Sequence, residues 1–117
     1  MDQAKLIASG INYNMGLRRF AGKALIYEKY LKQFAEDPNF PKLEEEMQRE
    51  AYKDAFKTAH ALKGVIGTLS IDRLFVIISE LVEALREENI VKAKEIMIEA
   101  DAEYREVVGV LKECSAK

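Results

Sequence analysis

The sequence predicts an all-α protein: an up-and-down antiparallel four-helix bundle with additional short N-terminal helical segments. Three observations carry this. Downstream of residue 14 the apolar residues recur almost everywhere at helical spacing. No segment alternates convincingly as a half-buried strand does. The connections between the long periodic stretches are short, which favours antiparallel neighbours. At 117 residues the chain has the length of one domain, 1–117, with the bundle core at about 23–114.

The N-terminal residues 1–10 read as a short helix ended at Gly10. Asn14 is placed to cap a second short helix through Met15, Leu17 and Phe20, broken at Gly22. Residues 23–36 put Leu25, Ile26, Tyr30, Leu31 and Phe34 on one stripe of an amphipathic helix. Pro38 and Pro41 mark the next turn. Residues 41–50 predict a helix with Leu43 and Met47 inward and Glu44, Glu45, Glu46 and Glu50 mostly outward. No Gly or Pro separates it from the segment carrying His60. A boundary at 49–52 is expected, with one continuous helix as the alternative.

The His60 helix is expected to run to Leu69. Ser70 is the expected N-cap of the next helix, 71–88, with Asp72 in its first turn. Its apolar residues are Ile71, Leu74, Phe75, Ile78, Leu81, Val82 and Leu85. Asn89 caps the last helix, 90–114, whose inward stripe is Ala93, Ile96 or Met97, Ala100, Tyr104, Val107, Val108 and Leu111.

Composition narrows the function. The chain is 49% hydrophobic and 32% charged, as a soluble globular protein is, and too apolar for a disordered one. A net charge of -2 gives no sign of nucleic acid or an anionic membrane as partner. No apolar run approaches the roughly 20 residues of a membrane span, and the N-terminus lacks a signal pattern. The one cysteine, Cys114, excludes an internal disulfide and fits a reducing compartment, so a cytoplasmic protein is expected. The initial Met and the helix pattern favour a free-standing protein over a domain excised from a larger one.

His60 is the only histidine. On a helical wheel at about 100° per residue, Ala55, Ala59, Leu62, Ile66 and Leu69 fall on the side opposite it. That side is the expected core, so His60 projects outward. Lys53, Lys57, Lys63, Gly64 and Gly67 share its half of the helix. A glycine inside a helix costs about 1 kcal/mol relative to alanine, so two of them beside one imidazole suggest a surface cleared for a large partner. A neutral imidazole nitrogen is a competent nucleophile near neutral pH. Lysines supply positive charge to a phosphoryl group. No acid, second histidine or cysteine accompanies His60 at helical spacing, so a hydrolytic dyad or a metal site has too few members. Phe56 belongs either to the edge of the core or to an apolar patch that a partner covers. Met15, Leu17 and Phe20 either join that patch or cap the bundle. Lys53 reads as a solvated residue, and Cys114 has no assigned role.

The segment Ala59-His60-Ala61-Leu62-Lys63-Gly64-Val65-Ile66-Gly67-Thr68-Leu69 resembles the signature of histidine-containing phosphotransfer (HPt) domains. Upstream, Gly16-Leu17-Arg18-Arg19-Phe20-Ala21-Gly22 and Tyr27 through Phe34 are similar to that family's N-terminal portion, so the resemblance spans about residues 10–111. Two positions depart from it. Ser70 stands where the family often has glycine, and Ala51 where it often has a capping aspartate. The resemblance implies a phosphoryl carrier without independent catalytic turnover. His60 would accept a phosphoryl group from the aspartyl phosphate of a receiver domain and pass it to another receiver. Lys63 would stabilise the phosphoryl group, and Gly64 and Gly67 would give clearance. With Lys57 and Phe56 they would form the docking surface. The expected partners are response-regulator receiver domains, with a hybrid histidine kinase as a further candidate. The protein itself would be a monomer holding no cofactor and no metal, the Mg²⁺ residing on the receiver. The competing readings are a helical scaffold or binding-only HPt-like module, and a four-helix fragment of a metal protein.

Overall fold

The structure, a computed structural model, describes residues 1–115. The expected domain end at Lys117 lies outside the described residues. Every regular element among them is an α-helix: α1 (Gln3–Ala8), α2 (Tyr13–Arg19), α3 (Ala24–Ala35), α4 (Asn39–Gln48), α5 (Tyr52–Thr68), α6 (Asp72–Arg86) and α7 (Ile90–Ser115). None of them is long and apolar enough to cross a membrane.

Helix starts follow side-chain chemistry where a short polar residue is available. Asp2 caps α1 by accepting from the Lys5 amide at 3.2 Å, and Asn89 opens α7 by accepting from the Lys92 amide at 3.2 Å. For α2 the cap is Asn12, which accepts from the Met15 amide at 3.2 Å, and not the expected Asn14, which lies one residue inside the helix. Ser70 is not the cap of α6 either. Ile71 holds that position without a side-chain bond, while Ser70 sits in the left-handed region at φ +57°.

The helix ends share one device. After α2, α4, α5 and α6 the chain turns through a left-handed residue that is not glycine: Ala21, Glu50, Ser70 and Glu88. In each case two amides return to the last carbonyls. Behind α4 the Glu50 amide bonds Met47 O at 3.2 Å and the Ala51 amide bonds Glu46 O at 2.9 Å. This is the double hydrogen-bond closure usually built on glycine. It separates α4 from α5 within the expected 49–52 boundary, so the continuous-helix alternative does not hold. Pro41 falls inside the first turn of α4, where its missing N–H is harmless, and only Pro38 belongs to the turn.

Two inward faces differ from expectation. On α3 the buried residues are Tyr27, Leu31, Phe34 and Ala35, whereas Leu25 is 87% exposed and Ile26 and Tyr30 are about half that. The helix is apolar on more than one side, and the choice is made by its neighbours. A β-carbon on Gly16 would occupy the Tyr27 ring, and the Tyr27 hydroxyl donates to Leu69 O at 2.7 Å. On α4, Glu46 is buried instead of outward, because the helix begins at Asn39 and its inward stripe runs Phe40, Leu43, Glu46, Met47.

The remaining core agrees with the sequence pattern: Ala55, Ala59, Leu62 and Ile66 on α5, Leu74, Ile78, Leu81, Val82 and Leu85 on α6, and Ala93, Ile96, Ala100, Val107 and Leu111 on α7. Phe75, Met97, Tyr104 and Val108 flank it, partly buried. Helix α5 packs between α4 and α6, α6 packs between α5 and α7, and α7 also meets α3 and α1. Tyr104 joins three elements. It stacks on Phe40 of α4 with ring centroids 3.8 Å apart and meets Phe34 of α3 in a T-shaped contact at 6.0 Å.

Candidate functional site

Helix α5 buries Ala55, Thr58, Ala59, Leu62 and Ile66 and turns its other face outward. This fixes His60 on the surface, exposed, as the wheel argument requires. Lys53, Lys57 and Gly64 are exposed beside it, and Lys63 is half-buried. A β-carbon on Gly64 would meet nothing within 4 Å, so space is open one turn beyond the imidazole.

Gly67 behaves differently. A β-carbon there would lie 2.9 Å from Cε1 of Phe75. Gly67 therefore makes room for a ring of its own protein and does not face open space as Gly64 does. The expectation that both glycines give clearance is corrected for this residue: α6 leans its first turn against the end of α5, which angular position on α5 alone does not reveal. The same ring lies beneath Lys63, whose Nζ is 5.9 Å from the Phe75 centroid. Phe75 thus underlies the lysine one helical turn beyond His60.

On the N-terminal side, the rings of Phe56 and His60 are 6.0 Å apart. Phe56 is partly buried against the core, and the Arg86 guanidinium of α6 covers it at 5.5 Å. Arg86 is itself held by Glu83 at 2.6 Å. Phe56 also lines an open groove of about 650 Å³ with Tyr52, Lys53, Lys57, Leu85 and Ile90. It serves at the edge of the core and in a surface groove at once, so the two sequence readings of Phe56 are not exclusive. Arg86 and Phe75 are the site residues that sequence reasoning missed. Both come from α6, and nothing in the spacing of α5 points to them.

The turn after α5 is held from above by the N-terminal segments. Asn12 N donates to Ser70 O at 2.8 Å, Arg19 Nε to Ser70 Oγ at 3.2 Å, and Arg73 N to Gly10 O at 3.2 Å. With the Tyr27 bond to Leu69 O, three contacts fix the end of the His60 helix, and the Arg73 bond ties the start of α6 to the same N-terminal segment. Met15 is exposed, and Leu17 and Phe20 pack partly buried on the core beside them.

The arrangement offers one solvent-facing nucleophile, several cations within two turns, and an open approach over Gly64. Among the described residues no three His, Cys, Asp or Glu side chains are grouped to hold a metal ion. No family model, curated protein or solved structure matches the chain.

Proposed function

We propose that the chain is a histidine phosphotransfer protein of a two-component phosphorelay, a cytoplasmic monomer that shuttles a phosphoryl group between receiver domains. The observation that carries this is the surface of α5: His60 is exposed opposite the core stripe, with empty space over Gly64 and Lys63 one turn away. A nitrogen of the imidazole attacks the phosphorus of a receiver's aspartyl phosphate. The N–P bond forms as the acyl-phosphate P–O bond breaks, the aspartate leaves as carboxylate, and the N–H on the other ring nitrogen stays with the ring. Attack by a second receiver's carboxylate reverses these steps. The receiver brings the Mg²⁺ and the acidic pocket. This chain contributes the nucleophile, the Lys63 charge and a docking surface from Lys57, Phe56 and Gly64.

Two further features support the reading. Ser70, where the resembled family often carries glycine, is the left-handed residue at φ +57° that a glycine would suit. The helices α4 to α7 follow one another in packing, and the Phe40–Tyr104 stack links the last back to the first, as in a four-helix bundle.

The test is phosphorus NMR of the intact chain after treatment with phosphoramidate, a small donor that requires no docking. An acid-labile, base-stable phosphohistidine signal, absent in His60→Gln, is the expected result. A folded protein that takes no phosphate from phosphoramidate or from a phosphorylated receiver overturns the reading in favour of a binding-only module.

A further inference from the structure

Away from His60, α4 and α7 meet across two carboxylates. Glu44 of α4 and Asp101 of α7 both face Arg105, at 3.9 Å from Nη2 and 2.9 Å from Nε respectively. Two carboxylates on one guanidinium leave a net negative charge in a seam that is only partly wet: the side chains retain 27% and 32% of their exposure. The seam borders a cleft of about 300 Å³ lined by Met47, Met97 and Ile98. Asp101 Oδ2 is taken by Arg105, but Asp101 Oδ1 is buried and has no donor among the described residues. A buried carboxylate oxygen without a donor is unfavourable. The group beside it able to supply a proton is Glu44 in its acid form.

We propose that Glu44 is protonated and donates its hydrogen bond to Asp101 Oδ1, so that a shared proton clasps α4 to α7 and its loss loosens the seam. Burial first, then the hydrogen bond and charge of Asp101, push the Glu44 carboxyl up to about 7, with Arg105 opposing. Hydrogen bonds from Arg105 and Glu44 hold Asp101 below the usual carboxylate range. The closer guanidinium contact, 2.9 Å to Asp101 against 3.9 Å to Glu44, favours the charge on Asp101 and the single proton on Glu44. The other groups facing the pair are few. From α7 they are Tyr104, whose phenol is raised by burial and by the Glu44 charge, and Lys94 across the cleft. Glu36 and Asp37, before α4, act on Tyr104.

A group whose folded pKa is raised stabilises the fold fully below its unfolded value, and that contribution is lost as pH rises through the folded one. The seam is therefore closed in mildly acidic solution and weakens from about pH 5 to about pH 8, a span in which the folding equilibrium constant falls roughly tenfold or more. The asparagine-like amide of glutamine donates at every pH, so Glu44→Gln removes this dependence while keeping the bond.

The experiment is carboxyl carbon NMR of the full chain across pH, paired with thermal unfolding of wild type and Glu44→Gln. Hydrogen exchange of the α4 amides, compared between the two proteins at each pH, cancels intrinsic base catalysis. The expected result is a Glu44 resonance titrating near neutrality, together with a wild-type midpoint and α4 protection that fall relative to the variant as pH rises. A Glu44 resonance titrating in the usual carboxylate range overturns the proposal. So do parallel pH profiles for the two proteins. Asp101→Asn, which supplies no acceptor charge, is expected to return Glu44 toward its ordinary range; an unchanged Glu44 titration there also counts against the clasp.

Discussion

The ring of Phe75 occupies the space that a side chain on Gly67 would need, with 2.9 Å between Cε1 and the position of a β-carbon. One turn earlier, Gly64 faces empty space. The two glycines of one helix face therefore have opposite physical causes, and substitution separates them. Gly64→Ala gains helix propensity at no packing cost and is expected to stabilise by up to about 1 kcal/mol. Gly67→Ala gains the same propensity but must displace Phe75, so it falls below Gly64→Ala in thermal midpoint. A midpoint for Gly67→Ala equal to that of Gly64→Ala would show that Phe75 moves freely. Under the proposed function, Gly64→Leu is expected to keep the fold and slow transfer from a phosphorylated receiver, while leaving labelling by phosphoramidate intact.

Lys63 stands one turn from His60 with its Nζ 5.9 Å from the Phe75 centroid. Under the proposed function, Lys63→Ala would remove positive charge from the transferring phosphoryl group and is expected to slow receiver transfer on the order of tenfold. Circular dichroism should be unchanged, because the lysine is only half-buried. Single-turnover transfer from a phosphorylated receiver measures this, and an unaltered rate would remove Lys63 from the mechanism.

The Tyr27 hydroxyl donates to Leu69 O at 2.7 Å and is buried. Desolvation raises this phenol well above its ordinary range, so it remains a donor throughout the working pH range. Tyr27→Phe leaves the ring packing against Gly16 in place and strands the carbonyl, costing about 1–2 kcal/mol. Denaturant unfolding checks the magnitude, and a loss below a few tenths of a kcal/mol would mean that water replaces the hydroxyl.

Glu88 closes α6 at φ +58°. A non-glycine residue in that region costs roughly 1 kcal/mol, and the Glu88 side chain is exposed. Glu88→Gly is expected to raise stability by a fraction of that cost, since glycine also gains freedom in the unfolded chain. A lower thermal midpoint for the variant would indicate that the Glu88 side chain stabilises the fold through contacts of its own.

Legibility differed from helix to helix for one reason. Helices α5 and α6 carry their apolar residues on one side, so the spacing of Ala59, Leu62 and Ile66 leaves one possible inward face, and His60 follows as its opposite. Helix α3 is apolar on several sides. Leu25, Ile26 and Tyr30 fit a helical stripe as well as Tyr27, Leu31 and Phe34 do, and only the contacts of Tyr27 with Gly16 and Leu69 break the tie. Ser70 was not legible as a left-handed closing residue because sequence rules reserve that backbone for glycine.

The sequence by itself determined that the chain is helical, which face of α5 is buried, and that His60 is exposed, because these depend on periodicity within one segment. The tertiary structure decided what Gly67 is for, which face of α3 is buried, and that Arg86 covers Phe56 while Phe75 lies against Gly67 and Lys63. It also brought Glu44 to Asp101, 57 positions apart in the chain. Those relationships depend on how one helix leans against another, and the packing of whole helices is a property of all their side chains together.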